Sequence, residues 1–442
     1  MNKFLKEECA WQSPYDVAKI LIKEYGESGL IWLDGDKSNL GRQATLAVNP
    51  IQEITCRNHS NQGQNSNPFE LLRKLDPGHW TGWISYEAGA WIEPKNSWKI
   101  DSMATLWIAS HDPILKFDLK EKKLWIEGFK KTEIENIKHL IENISPQEAT
   151  TSQANTVYKD FIPLDSWKWL TSEEEYIKNV NLIKDLISQG DIFQANLSAC
   201  CTAKLPPKAT PSNIFYRLKQ KLPAPFAGLV VGKGSAEGEA IISSSPERFL
   251  KVLPNGSVES RPIKGTRPRM RDNYQDYKMA ADLVCSPKDR AENIMIVDIL
   301  RNDLGRVCET GSIHVPQLAG LESYPKVHHL TSIIKGDLKD SKTWVDLLEA
   351  SWPGGSITGA PKLRACQRLH EMEPIARGPY CGSLININWD RTFDSSILIR
   401  SLMIKKSVIK AYAGCGIVAD SEASFEAEEL KWKLMPMLEA LK

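Results

Sequence analysis

Four basic side chains fall within the nine-residue segment RPIKGTRPR: Arg261, Lys264, Arg267 and Arg269. Pro262 and Pro268 hold the backbone extended on either side of Gly265 and Thr266. The segment reads as a rigid basic loop suited to meeting an anion. Neighbouring positive charge and desolvation both lower an amine pKa, so Lys264 is the candidate to lose its proton and act as a nucleophile. A solvated basic loop accounts for the same residues. Seventeen residues upstream, SSSPERFL places Glu247 after a β-rich run and a proline. A carboxyl near a reactive amine suits a general acid, although a glutamate at a strand start is also an ordinary surface residue.

Carboxylates recur at helical spacing. Asp289 and Glu292 stand i, i+3 in SPKDRAENIMIVDILRND, and Glu426, Glu429 and Lys433 stand i, i+3, i+7 in SFEAEELKWK. Two such helix faces could hold Mg2+, which takes few protein ligands and leaves positions for substrate oxygens. Solvated acidic faces have the same spacing. PGGSITGAPK carries Gly354 and Gly359 at phosphate-loop spacing, but Ala360-Pro361 stand where Lys-Ser/Thr is required. What remains is a glycine-rich turn capped by Ser356 or Thr358, with Pro361 as first helical residue and free backbone N–H groups for a carboxylate. Arg400, between ILI and SLMI, reads as an arginine inside an apolar strand, which burial obliges to pair with a carboxylate. His329 in KVHHLTS suits either a substrate hydroxyl or a helix cap. Tyr380 in GPYCGS, with Gly414 and Gly416 in GCGIVADS, marks turns and strands of close backbone approach.

The elements that must position these groups are legible in outline. Ser172 opens a helix with Glu175 as its capping-box partner, Tyr176, Val180, Ile183 and Ile187 line one face, and Gly190 ends it. IFQANLSAC follows as a strand with Gln194 and Asn196 on one face. Ser286 and Pro287 start a second long helix that Gly305 ends. KKTEIENIKHLIENI predicts a further helix. IWLDG, ATLAV, WTGWISYEAGAW, TLWIA, GLVVG, AIISSS, RFLKVL, CGSLININ, SSILIRSLMI and VIKAYAG predict strands. With no strict βαβ order and no internal repeat, the fold class is α+β. The polar stretch near 146–166 divides a region 1–145 from a region 167–442.

Composition narrows the partners. A formal net charge of +1 over 442 residues offers no field for nucleic acid or a membrane surface. The N-terminus lacks the apolar core of a signal peptide, and no apolar run is long enough to span a bilayer. Nine cysteines without C-x-x-C spacing fit reduced thiols in the cytoplasm rather than a zinc site.

Taken in order, GDIFQANLS, SSSPERFL, RPIKGTRPR, DRAENIMIVDILRNDLGRVC, VHHLTS, SWPGGSITGAPK, PYCGSL, ILIRSL and GCGIVADSEASFEAEELKWK resemble the chorismate-utilising enzymes from about Ser172 to Lys433. LDGDKSNLGRQATLAVNP and WTGWISYEAGAW extend the resemblance to the N-terminal region. It implies a β-sandwich of two large sheets with helices on the outer faces, and a chorismate-binding catalytic domain over 167–442. Members that form 4-amino-4-deoxychorismate, toward 4-aminobenzoate and folate, carry PIKGT as here, whereas anthranilate- and isochorismate-forming members carry alanine for Lys264. Gln194 stands where water-using members place a general-base lysine.

The resemblance therefore implies amination of chorismate at C4, with Lys264 attacking C2 and Glu247 protonating the departing hydroxyl. Glu292 and Glu429 would hold Mg2+, with Asp289 and Glu426 on metal-bound water. Arg400, Tyr380, Gly414 and Gly416 would grip the enolpyruvyl carboxylate, with Lys433 nearby and His329 near the ring. Ser356, Thr358 and Gln194 would complete the substrate pocket. With no Cys nucleophile elbow of its own, the chain would draw ammonia from a class I glutamine amidotransferase partner. LDGDKSNLGR lies where relatives bind tryptophan, which marks Asp34 and Arg42, although the leucine-acidic-serine signature is altered to Leu33-Asp34-Gly35. An anthranilate-forming member and a non-catalytic relative are the alternatives.

Overall fold

Along the strands Phe226–Val231 and Glu239–Ser245, successive side chains enter opposite layers. Leu229 and Ile242 lie in one apolar cluster, Val230 and Ile241 in another. Strands buried on both faces require this two-residue alternation. In the computed structural model, which describes residues 3–57, 67–143, 162–324 and 326–442, the strands form two antiparallel sheets of twelve and ten among the described residues. The first sheet runs from Leu5–Cys9 through Ile31–Asp34, Phe226–Val231 and Ser401–Lys405 to Val408–Ile417, Gln194–Lys204 and the short strand Gly359–Ala360. The second runs from Gln52–Cys56 through Trp80–Ile84, Phe393–Ile397 and Ser257–Arg261 to Val327–Asp337 and Ile263–Pro268.

One apolar cluster joins the sheets, with Ile31, Val230, Ile241 and Met403 from the first and Trp83, Leu250, Ile385 and Phe393 from the second. Helix Pro287–Gly305 adds Ile296, Val297 and Leu300 to it. The other cluster covers the far face of the first sheet beneath helices Pro14–Tyr25, Lys131–Glu142, Glu173–Ser188, Pro211–Lys221 and Ala423–Glu439. The α+β sandwich with outer helices is thus what forms. Among the described residues, no helix is long and apolar enough to cross a membrane.

Strands from both sides of the polar stretch share each sheet: Ile31–Asp34 pairs with Phe226–Val231, and Trp80–Ile84 with Ser383–Ile387. Most of the stretch expected as a linker, 146–166, lies outside the described residues, which resume at Ile162. There the Ile162 N–H donates to the Leu441 carbonyl at 2.9 Å.

Phe393 is fully buried and stacks on Trp344 with ring centroids 4.6 Å apart. Phe393→Ala should leave a cavity there and cost about 3–5 kcal/mol in urea denaturation. A loss under 1 kcal/mol would mean that the stack contributes little beyond a single methylene.

Candidate active site

Lys264 sits on a strand, not in a free loop. Ile263 pairs with Thr331 and Thr266 with His329, so Lys264 and Gly265 together oppose the single residue Leu330. This β-bulge is possible because Gly265 takes φ +82°, a conformation a side chain would strain. The arginines expected to crowd the amine are each turned to a carboxylate instead. Arg261 bonds Glu322, Arg267 bonds Asp282 at 2.7 Å and Asp289 at 3.2 Å, and Arg269 bonds Asp276 at 2.8 Å. The charge facing Lys264 Nζ is an anion, Glu292 Oε2 at 3.9 Å, and the amine donates to the Ser356 carbonyl at 3.3 Å.

Gly416 shows how tightly these groups converge. A Cβ there would lie 3.5 Å from both Lys264 Nζ and Glu292 Oε2 and would collide with Gln194 Nε2. The expected face of Gln194–Lys204 is real: Gln194 reaches Gly416, while Asn196 Nδ2 and Tyr380 Oη lie 2.9 and 3.0 Å from the place of a Gly414 Cβ. Gln194 Oε1 is buried without a hydrogen-bond partner. Tyr380 stacks on Tyr412, ring centroids 4.9 Å apart.

Glu247 is 5 % exposed and accepts a 2.8 Å bond from the Ser356 hydroxyl. Burial pushes its carboxyl up to about 7 against the pull of Ser356, Lys264 and Arg400. A group that holds its proton near neutrality is fit to be an acid. Arg400 is not inside a strand: it occupies the crossing between Phe393–Ile397 in the second sheet and Ser401–Lys405 in the first, at φ +50°. No carboxylate bonds its guanidinium among the described residues. Burial lowers its pKa, with Glu247 opposing. Its planar fork is left for an anion from outside.

The carboxylate set divides. Glu292 and Glu429 are both within electrostatic reach of Lys264 and Lys288. Burial raises Glu292, whereas at Glu429 the pull of Lys433, 2.7 Å away, and of Lys288 outweighs burial and lowers it. Both offer hard oxygen donors beside the same two lysines, the kind of donor magnesium takes. The Asp289 carboxylate is tied to Arg267. Glu426 is likewise engaged, by Lys288 at 3.2 Å and the Ser421 hydroxyl at 2.7 Å.

Other expectations also shift. Lys433 donates to the Gly414 carbonyl at 2.9 Å, so it braces the glycine strand as well as Glu429. The Thr358 hydroxyl donates to the Gly354 carbonyl at 2.9 Å and closes the turn rather than facing the cavity. Pro361 is the cap of helix Lys362–Met372, after the two-residue strand Gly359–Ala360, not its first residue. His329 lies 2.8 Å from the Thr266 hydroxyl; burial, with Arg400 nearby, lowers its pKa to about 3 and keeps it neutral. Asp34 accepts from Trp32 Nε1 and Lys219, and Arg42 bonds Asp118 at 2.7 Å. These two residues have separate internal partners.

Two contributors went unread. Lys288, spaced i, i+4 from Glu292, was legible by that spacing. Cys415 was not: its sulfur and oxygens of Glu426 and Glu429 lie within 4.8 Å of one another, a contact made only by folding. Its thiol, raised by burial to about 12, is a wall rather than a magnesium ligand.

Glu247 has a folded pKa of about 7 against an ordinary 4.5. Its contribution to stability is therefore complete below pH 4.5 and lost as pH rises through 7. Glu247→Gln, which cannot ionise, should gain roughly 3 kcal/mol on the parent across that window in urea denaturation. Parallel pH profiles for the two proteins would show that Glu247 ionises as an ordinary carboxyl.

Residues 27–439 match the family described as chorismate binding enzyme. Aminodeoxychorismate synthase component 1 of Klebsiella aerogenes is 41% identical over 290 residues, 66% of this chain and 63% of that protein. The Escherichia coli protein of the same name is 37% identical over 337 residues, 76% of this chain and 66% of that protein. The matches thus span a little under two thirds of those relatives' lengths. The crystal structure of anthranilate synthase component I from Streptococcus pneumoniae superposes with a TM-score of 0.74 at 28% identity, covering 91% of this chain and 93% of that one. By the family match over most of its length, the chain belongs to the chorismate-binding enzymes.

Proposed function

We propose that this chain aminates chorismate at C4 to give 4-amino-4-deoxychorismate, on the way to 4-aminobenzoate and folate. The observation that carries the reading is the Lys264 amine beside Glu292 and Gly416, with Glu247 held by Ser356 on the neighbouring turn. The relatives named aminodeoxychorismate synthase component 1 support it. Lys264 forms a bond to C2 as the C4–O bond breaks, and the Glu247 proton leaves with the hydroxyl as water. Ammonia then forms the C4–N bond, the C2–N bond to Lys264 breaks, and the surplus proton on nitrogen returns to Glu247. Arg400 offers its free fork to a substrate carboxylate, with Tyr380, Gly414 and Gly416 shaping the wall beside it.

Glu292 and Glu429 would hold magnesium, which neutralises substrate carboxylate charge when bound. Lys433 braces Glu429, and Gln194 presents its unpaired carbonyl to the same space. The ammonia comes, in this reading, from a class I glutamine amidotransferase partner, consistent with the relatives being named as a first component. Eight of the nine free cysteines are buried, as a reducing cytoplasm leaves them.

The test is incubation with chorismate, magnesium and ammonium. The parent should yield 4-amino-4-deoxychorismate and a transient covalent mass increase on Lys264, absent from Lys264→Ala. Fluorescent anthranilate without added lyase, or full amination by Lys264→Ala, refutes the reading.

A further inference from the structure

The chemistry above leaves Arg377 unused, yet its guanidinium bonds the segments that hold the reacting groups. The side chain is 2 % exposed. Glu373 accepts two of its bonds, at 2.6 and 2.8 Å, and supplies the opposite charge that burial demands. Two further bonds go elsewhere: Nη1 donates to the Ile357 carbonyl at 2.8 Å, and Nη2 to the Asn196 carbonyl at 2.6 Å. Charge balance alone asks for neither.

Those carbonyls belong to two segments of the reaction site. Asn196 lies on the strand of Gln194, and Ile357 follows Ser356 on the short turn Gly355–Ile357. Next to them the backbones pair directly: Gly359–Ala360 pairs with Gln194 and Ala195, and the Asn196 N–H donates to the Thr358 carbonyl at 2.7 Å. The Asn196 and Ile357 carbonyls cannot bond each other, since both are acceptors, so a donor must stand between them. The planar guanidinium fork does this while still holding a carboxylate, which the single nitrogen of a lysine cannot. The fork is itself held in place. Ser198 fixes Glu373 through its N–H and hydroxyl at 3.0 and 2.7 Å, the Tyr86 ring lies 4.8 Å from the guanidinium carbon, and the Arg377 N–H donates to Glu87 at 2.9 Å.

What the turn carries is Ser356. Its hydroxyl donates to Glu247 at 2.8 Å, and its carbonyl accepts the Lys264 amine at 3.3 Å. We infer that Arg377 is a positioning residue: by bridging the Ile357 and Asn196 carbonyls it fixes the Ser356 turn against the Gln194 strand, and through Ser356 it sets the place of Glu247 and Lys264. The roles of those two groups rest on the amination reading, but their place does not. Against burial, the Ser356 hydroxyl, Lys264, the Ile263 backbone and Arg400 all hold the Glu247 pKa down. Slackening of the turn therefore raises it further.

The infrared carboxyl band that Glu247→Gln removes reads this titration in the full chain without chorismate. Arg377→Lys keeps a charge beside Glu373 but cannot bridge both carbonyls, so the band should titrate at higher pH than in the parent. Ser356→Ala should raise it too, and Arg377→Lys added to Ser356→Ala should raise it no further. With chorismate and ammonium, kcat of Arg377→Lys should fall about 10-fold, the scale of one lost hydrogen bond to a charged group. Glu373→Gln removes the opposite charge and leaves the two carbonyl bonds. It should unfold at lower urea while Glu247 titrates as in the parent, and it decides the matter even where Arg377→Lys does not fold. A Glu247 titration unchanged in Arg377→Lys, or shifted upward in Glu373→Gln, overturns the inference. A shifted titration in a chain whose parent does not aminate chorismate overturns the amination reading alone.

Discussion

Paired charge is the constraint on which the site depends. Lys264, Lys288 and Lys433 share one region with Glu292, Glu426 and Glu429, and each lysine lies within 4 Å of one of those carboxylates. Of these only Glu426 is fully buried, and a charge taken out of water there must be matched. The balance is nevertheless incomplete where substrate would sit. Among the described residues the Arg400 guanidinium has no bonded carboxylate, Gln194 keeps an empty acceptor, and Glu247 keeps a proton it would lose in water. A doubly anionic ligand completes a set that the protein alone leaves open.

Two backbone features aim those groups. The bulge at Gly265 turns Lys264 out of register, and Asp289 packs against that glycine, 2.9 Å from the place of a Cβ. The crossing at Arg400 joins the two sheets, so the residue stands where the chain passes between them rather than in the middle of either. Both features depend on strands being long and well paired on either side. The sandwich is therefore more than a container: its two cores hold the register that sets the position of the amine.

Much of the architecture was legible from local pattern. Ser172 caps its helix by accepting the Glu175 N–H, Ser286 does the same for Asp289, and Gln194 shares a face with Asn196, all as spacing predicts. What escaped depends on residues far apart in the chain. The segment RPIKGTRPR has prolines and basic charge, which argue for a loop, yet pairing with Val327–Asp337 makes it a strand. The apolar run around Arg400 hides a change of sheet, since both strands have the same composition. Asp289 looked free for metal until Arg267, twenty-two residues earlier, folded onto it. Helical spacing reveals which side chains share a face, not which partner that face will meet.

The sharing of both sheets between distant parts of the chain has a consequence for synthesis. Trp80–Ile84 is finished early on the ribosome, but its neighbour Ser383–Ile387 follows about 300 residues later. Until then an apolar strand with Trp80 and Trp83 has an open edge, the kind of surface that recruits other chains. Such long loops must close before the pairing repays them, which makes folding slow. A nascent chain of this protein will therefore need shelter until its last strands emerge. Any truncation that removes them should leave an aggregating fragment rather than a smaller enzyme.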